Sequence, residues 1–370
     1  MVPKDKSVSR RRALKTLGAS ITGIAFAGCS QDGSNSEGST ETDTTGTTAG
    51  SSGDGQDAVS LTYAHPWPEP QHTTQDWILP FINKVEEYSD TDVTIEHQPA
   101  GQLASGGEYL SLVQDGVVEL AQTGPAYHPG QIPLSLVTDL PGQFTDNVAA
   151  QKTAYDITRN YIQGENYDSL GVEAIGVNLE APFTPGHWTD EPIVQREDWD
   201  GVSIRSSGGV VSSVIEQLGG SPVNIGPSDV YSAAERGTID GALFAINTFD
   251  SWDLDEFITH VPTNINLGSF GAVTIINQEV YDGLPEDVRN AMTTASEELN
   301  TEYGEAQMSH RAEARETYSD AVYEVPQEDK QNWTEVMDAA KQDWADTMAE
   351  RDEPGQEVLD RWNELYDQYS

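Results

Sequence analysis

One cysteine, Cys29, stands among 370 residues, so no intrachain disulfide is available and no Cys-x-x-Cys metal or redox pair exists. Basic residues are scarce too. There are 19 Lys and Arg against 62 Asp and Glu, a formal net charge of −43. A field of that sign repels nucleic acid and anionic membrane surfaces, which excludes them as partners for the bulk of the chain. Long apolar runs are missing: the stretch from about Thr16 to Ala27 is too short for a stable membrane-spanning helix. No Gly-x-Ser-x-Gly elbow occurs, and Gly106-Gly107 and Gly208-Gly209 lack the context of a phosphate-binding loop. The seven histidines form no metal-ligand pattern, His65 and His72 being seven apart in a Pro-rich loop. Carboxylates are too abundant for any pair to mark acid–base chemistry.

What is present argues for a folded protein. Eight Trp, fourteen Tyr and a regular apolar periodicity from residue 60 onward are not the composition of a disordered acidic chain. The acid is read as a strongly hydrated surface of the kind found in salt-loving organisms, where ions screen self-repulsion. Structure is expected to be lost at low salt.

Residues 1–28 read as a targeting segment. Ser9-Arg10-Arg11-Arg12-Ala13-Leu14-Lys15 resembles a twin-arginine export signal, and Ala25-Phe26-Ala27-Gly28-Cys29 resembles a lipobox. The lone cysteine would then be the lipid-modified first residue of the mature chain. The competing reading is a plain secretory signal with an incidental cysteine. Residues 29–57 are a Ser/Thr/Gly-rich flexible tether. Asn332-Trp333-Thr334 fits a glycosylation sequon, a match common by chance.

The folded part begins near Ala58 and alternates strand and helix, the pattern of an α/β fold. Strands are predicted at Ser60–Ala64, Val93–Glu96, Leu120–Gln122, Gly171–Val177 and Ala272–Ile276, with Pro133–Leu140 loop-like. Helices are predicted over Asn147–Ile162, Pro285–Tyr318, Glu328–Glu350 and Glu357–Tyr369. The central stretch is Asp198–Asn247. Val202–Arg205 reads as a strand, Val210–Leu218 as a helix, Pro222–Ile225 as a strand, Asp229–Arg236 as a helix capped by Ser228, and Ile239–Ile246 as a strand. Open α/β sheets bind ligands at the carboxyl ends of their strands. Arg205 sits at such an end, before a Ser-Ser-Gly-Gly turn and a helix N-terminus, which makes it a candidate anion site. The competing reading is that Arg205 balances acidic neighbours.

Several motifs in order resemble one family. These are Pro99-Ala100-Gly101-Gln102-Leu103, the Gly116–Ala121 run, Asp198–Arg205, Asp229–Ala233, Arg236–Gly241 and Tyr281-Asp282-Gly283-Leu284-Pro285. From about Ser60 to Gln307 the chain resembles the DctP-type solute-binding subunits of TRAP transporters, in a haloarchaeal-type lipoprotein form. The resemblance implies a two-lobed, periplasmic-binding-protein-like fold with a hinge and long C-terminal helices. Lobe one would be 58–182 plus 271–310; lobe two would be 183–270 plus 311–370 with the C-terminal helices. It implies no enzyme activity. The protein would capture an organic anion, a carboxylate by preference, outside the cytoplasm and deliver it to sodium-coupled membrane subunits. A lipid would hold it to the outer face of the cell membrane. Competing functions are a binding lipoprotein of an ABC importer or a sensor, and a secreted acidic hydrolase.

In that family the arginine ending the G-x-x-I-R strand pairs with the ligand carboxylate, and Arg205 holds that place. Departures occur where many members carry a second arginine, here Pro185, and an asparagine, here Phe244. Leu243 stands where oxo-acid-binding members have a residue sometimes used with a metal, so neither metal nor cofactor is expected. The site should be more apolar than in dicarboxylate or sialic-acid members. Candidate ligand-facing residues are Arg205, Phe244, His65, Trp67, Tyr127, Trp188, His187 and Gln102. For all but Arg205, core packing or a structural role is the competing reading.

Overall fold

The computed structural model describes residues 58–99, 101, 103–104 and 106–370. The export signal, Cys29, the tether and Gln102 lie outside the described residues.

The described strands are β1 (Val59–Ala64), β2 (Val93–Gln98), β3 (Leu120–Thr123), β4 (Val172–Leu179), β5 (Phe183–His187), β6 (Ser203–Ser206), β7 (Ser221–Asn224), β8 (Gly241–Ala245), β9 (Val261–Pro262), β10 (Gly271–Asn277) and β11 (Val322–Tyr323). The α-helices are α1 (Leu79–Tyr88), α2 (Tyr109–Gln114), α3 (Asn147–Ile157), α4 (Gly209–Leu218), α5 (Pro227–Glu235), α6 (Gln278–Gly283), α7 (Glu286–Thr317), α8 (Gln327–Glu350) and α9 (Gly355–Tyr369).

Two sheets define two lobes. The first runs β2-β1-β3-β10-β4, with β1 parallel to β2 and β3, and β10 antiparallel to both its neighbours. The second runs β5-β8-β6-β7, with β6 parallel to β7 and β8, and β5 antiparallel to β8. Parallel pairs need helical crossovers, which is why strand and helix alternate so regularly here. In β4 seven of eight residues are buried, as expected of a strand covered on both faces. In α4, Val210, Val211, Val214, Ile215 and Leu218 form the buried stripe, and Gly219 (φ 105°) ends the helix.

Two segments cross side by side between the lobes. Glu180-Ala181-Pro182 joins β4 to β5, and Leu267–Phe270 leads back into β10. They are laced together: Glu180 N donates to Phe270 O (3.1 Å), Phe183 N to Gly268 O (2.8 Å) and Leu267 N to Phe183 O (3.0 Å). Gly268 has φ 145°, and a Cβ there would lie 2.9 Å from both Asp139 O and Val211 Cγ2, so the crossing requires glycine. The 32-residue α7 packs on α1, α3 and β4, while Ala314 and Tyr318 near its end join the core of lobe two.

The two last helices pack on each other and on different partners. On α8, Trp333 meets Trp199 edge-on at 5.4 Å, and the helix packs on α4. On α9, Tyr366 Oη accepts from Thr145 N and Asp146 N (both 3.1 Å), and the helix packs on α3. Two local expectations are corrected. Gly226, not Ser228, precedes α5, because Pro227 is suited to the first helical position. Pro133–Asp139 is a buried 3-10 segment and not a loop.

Candidate functional site

The crossing segments, β6, β8 and the turn after β3 converge on one narrow chamber between the lobes. Its walls are six aromatic rings, Trp67, Tyr127, Phe183, Phe244, Trp252 and Phe270. Its polar groups are Arg205, Glu180, Gln71 and Ser207. The chamber holds about 20 Å³, room for about one water. It adjoins an outer cleft of about 590 Å³ that shares Trp67, Tyr127, Pro227 and Trp252 with it. An organic molecule therefore reaches the inner groups only if the lobes part or the rings turn.

Arg205 is 2 % exposed. Its Nε donates to Ile225 O (3.2 Å) and its Nη1 to Leu243 O (3.3 Å), and its Cζ lies 4.1 Å from the Phe244 ring centre. Carbonyls and a ring face thus orient the guanidinium without neutralising it. Among the described residues no carboxylate lies within ion-pair distance of it. Burial lowers the Arg205 pKa to about 10, with Tyr127 and Glu180 opposing that fall. The charge remains, and it is held in a place where an anion would be strongly favoured. Ser207, two residues on, has a buried Oγ with no hydrogen-bond partner. Ser207 lines the same chamber, and α4 begins two residues after it at Gly209.

Glu180 adds a buried carboxyl group to the same chamber. Burial raises its pKa to about 7, against the pull of Arg205 and a hydrogen bond with Gln71. Asp139 lies behind the crossing, where it accepts from Thr138 Oγ1 (2.9 Å) and Gly271 N (3.0 Å). Burial raises it too to about 7.

Of the eight residues predicted from sequence, the fold brings four to this chamber: Arg205, Phe244, Trp67 and Tyr127. The Trp67 indole N–H donates to Gln122, and the ring stands edge-on to Phe270 at 5.7 Å. Tyr127 tilts against Phe270 at 5.5 Å. Three others lie elsewhere. His65 is buried against His97 (Nε2 to Nε2, 2.6 Å), and burial lowers its pKa to about 3. His187 stacks on His260 at 5.1 Å and bonds Thr189 Oγ1 (2.7 Å). Trp188 donates to Ile239 O (3.1 Å) and packs on Phe257. The loop after β1 turns His65 and Trp67 to different surroundings. β5 runs away from the chamber, so its end residues leave it.

Sequence reasoning missed Glu180, Gln71, Ser207, Phe183, Trp252 and Phe270. Glu180 was hidden among many acids, although its apolar flanks, Leu179 and Ala181, set it apart from surface acids. The fold also gathers His72, Asp76 and His310 into one group outside the chamber, which chain spacing conceals.

Two lobes, a doubled crossing and a buried cation at a strand end in the cleft define a solute-binding protein, a receptor that closes around a small molecule. Comparison with known proteins makes this specific. The family model "Bacterial extracellular solute-binding protein, family 7" (DctP) matches residues 63–350, and the chain belongs to that family. The C4-dicarboxylate-binding periplasmic protein DctP of Rhodobacter capsulatus is 28% identical over 283 residues, covering 73% of this chain and 81% of the relative. Among solved structures, a marine metagenome TRAP solute-binding protein specific for aromatic acid ligands, from an unidentified microbe, matches with TM-score 0.77. Its identity is 20%, over 84% of this chain and 99% of that one. A TRAP solute-binding protein from Rhodoferax ferrireducens with copurified benzoate also matches at 0.77, with 21% identity over 84% and 98%. Members of the family work outside the cytoplasm, bind small organic solutes and serve membrane TRAP subunits. No described helix is long and apolar enough to cross a membrane.

Proposed function

We propose that this protein captures a compact organic monocarboxylate with an aromatic or otherwise apolar body and hands it to a TRAP importer. The observation that carries this reading is a single buried guanidinium facing a chamber walled by six aromatic rings. The carboxylate pairs with Arg205 and the Ser207 hydroxyl, and the apolar body lies between Phe244, Trp252, Trp67 and Phe270. Bidentate pairing supplies geometry as well as attraction. A second ligand carboxylate would find no second cation among the residues lining the chamber, which disfavours the C4-dicarboxylates after which the Rhodobacter relative is named. The aromatic acids named for two of the similar structures agree with the chamber's chemistry.

In the same reading Cys29 carries a lipid, and residues 30–57 tether the receptor to the outer face of the membrane after twin-arginine export. Cys29→Ser would then release the folded protein into the medium.

The test of the ligand class is mass spectrometry of small molecules released when protein purified from its own cells is denatured. An aromatic or compact apolar monocarboxylate is expected, and it should raise the melting temperature on re-addition by mass action. A dicarboxylate, or a cation lacking an acid group, would refute the reading.

A further inference from the structure

We propose that His72, Asp76 and His310 form a binding site for a divalent late transition metal, Zn²⁺ above all. His72 and Asp76 are four apart on the helix entered after β1, so they share a face. His310 arrives from the distant α7. His310 Nε2 lies 2.9 Å and His72 Nδ1 lies 3.7 Å from the same carboxylate oxygen, Asp76 Oδ2. Each residue offers one ligand atom, and all three fall within 4.8 Å of one another. A tetrahedral zinc with bonds of about 2.0–2.2 Å sets its ligand atoms roughly 3.3 Å apart. The two observed separations bracket that edge, so modest side-chain rotations would complete the coordination.

Other features favour a metal over a passive cluster. The two imidazole rings stack at 3.8 Å, which brings a nitrogen of each to the one carboxylate. All three residues are half-buried, hence both shielded and reachable. His72 and His310 line a pocket of about 150 Å³, and Asp250 and Glu313 line it too. Those acids add negative potential without occupying the ligand atoms. Water or one of them can supply a fourth ligand. Two imidazoles with one carboxylate select zinc, copper or nickel over magnesium and calcium, which prefer oxygen shells. The site belongs to this chain's own histidines and is independent of the proposed solute. The sequence neighbour of His72, Gln71, lines the chamber.

The experiment is calorimetric titration of chelator-treated mature protein with Zn²⁺ in concentrated KCl, with Mg²⁺ as the control. A second arm follows the visible absorption of added Co²⁺. The expected result is one saturable Zn²⁺ per chain, no matching Mg²⁺ event, and a Co²⁺ band typical of four-coordination. His310→Ala and the near-isosteric Asp76→Asn should each weaken Zn²⁺ by roughly tenfold or more, at least the loss seen when an outer-shell partner is removed. Circular dichroism should show both variants folded. Weak binding of many ions per chain, identical in wild type and both folded variants, would overturn the proposal. So would equal affinity for Mg²⁺.

Discussion

Replacing Glu180 by Gln should change how stability depends on pH, in a direction the structure fixes. Glu180 is 6 % exposed and lines the chamber with Arg205. Burial raises its pKa from 4.5 to about 7. The folded state thus holds a proton that the unfolded chain releases between those values. The stability linked to this proton is fully present below about pH 4.5 and is lost as pH rises through about 7. At about 1.4 kcal/mol per pKa unit, the loss is on the order of 3 kcal/mol. The Gln variant lacks it. Its stability relative to wild type should therefore improve by about that amount between pH 5 and pH 8. Urea unfolding of both proteins at fixed high salt measures this, and the shared acidic surface cancels in the comparison. A difference that stays constant with pH would refute the reasoning. A difference of opposite sign would mean that Glu180 is an ionised partner of Arg205, with a depressed pKa.

Gly124→Ala should disturb the chamber from behind. A Cβ there would lie 2.0 Å from Phe270 Cζ, and Phe270 in turn touches Trp67 and Tyr127. Overpacking of this kind costs about 1–3 kcal/mol of stability, and a displaced wall should weaken ligand by at least about tenfold. Unchanged affinity in a titration would show that Phe270 does not shape the site. Transfer to dilute buffer should unfold the protein, since 62 acids against 19 bases rely on screening. An unchanged circular dichroism spectrum without salt would contradict this.

Much of the frame was legible in the sequence because it rests on local signals. The apolar spacing of Val210 to Leu218, closed by Gly219, specifies α4 to within a residue. The Arg205 strand end was visible for the same reason, since strand, turn and helix start are contiguous. The chamber was less legible. Its walls come from points as distant as Trp67, Phe183 and Phe270, and only the doubled crossing aligns them. His65 and Trp67 show the limit well. Two residues apart in one loop, they face a histidine and the ligand chamber respectively. Glu180 was hard to read because only its apolar flanks distinguish it among 62 acids. His310 was unreadable because its partners lie more than two hundred residues away.

The most direct test of the central claim is a pair of calorimetric titrations, an aromatic monocarboxylate such as benzoate and then succinate, on ligand-free wild type and Arg205→Ala. Saturable binding of the monocarboxylate is expected in wild type, with succinate weaker. The variant should stay folded and lose about 2–5 kcal/mol, roughly thirtyfold to several thousandfold in affinity. Tighter binding of succinate, or monocarboxylate affinity retained without Arg205, would contradict the single-arginine, aromatic-walled site.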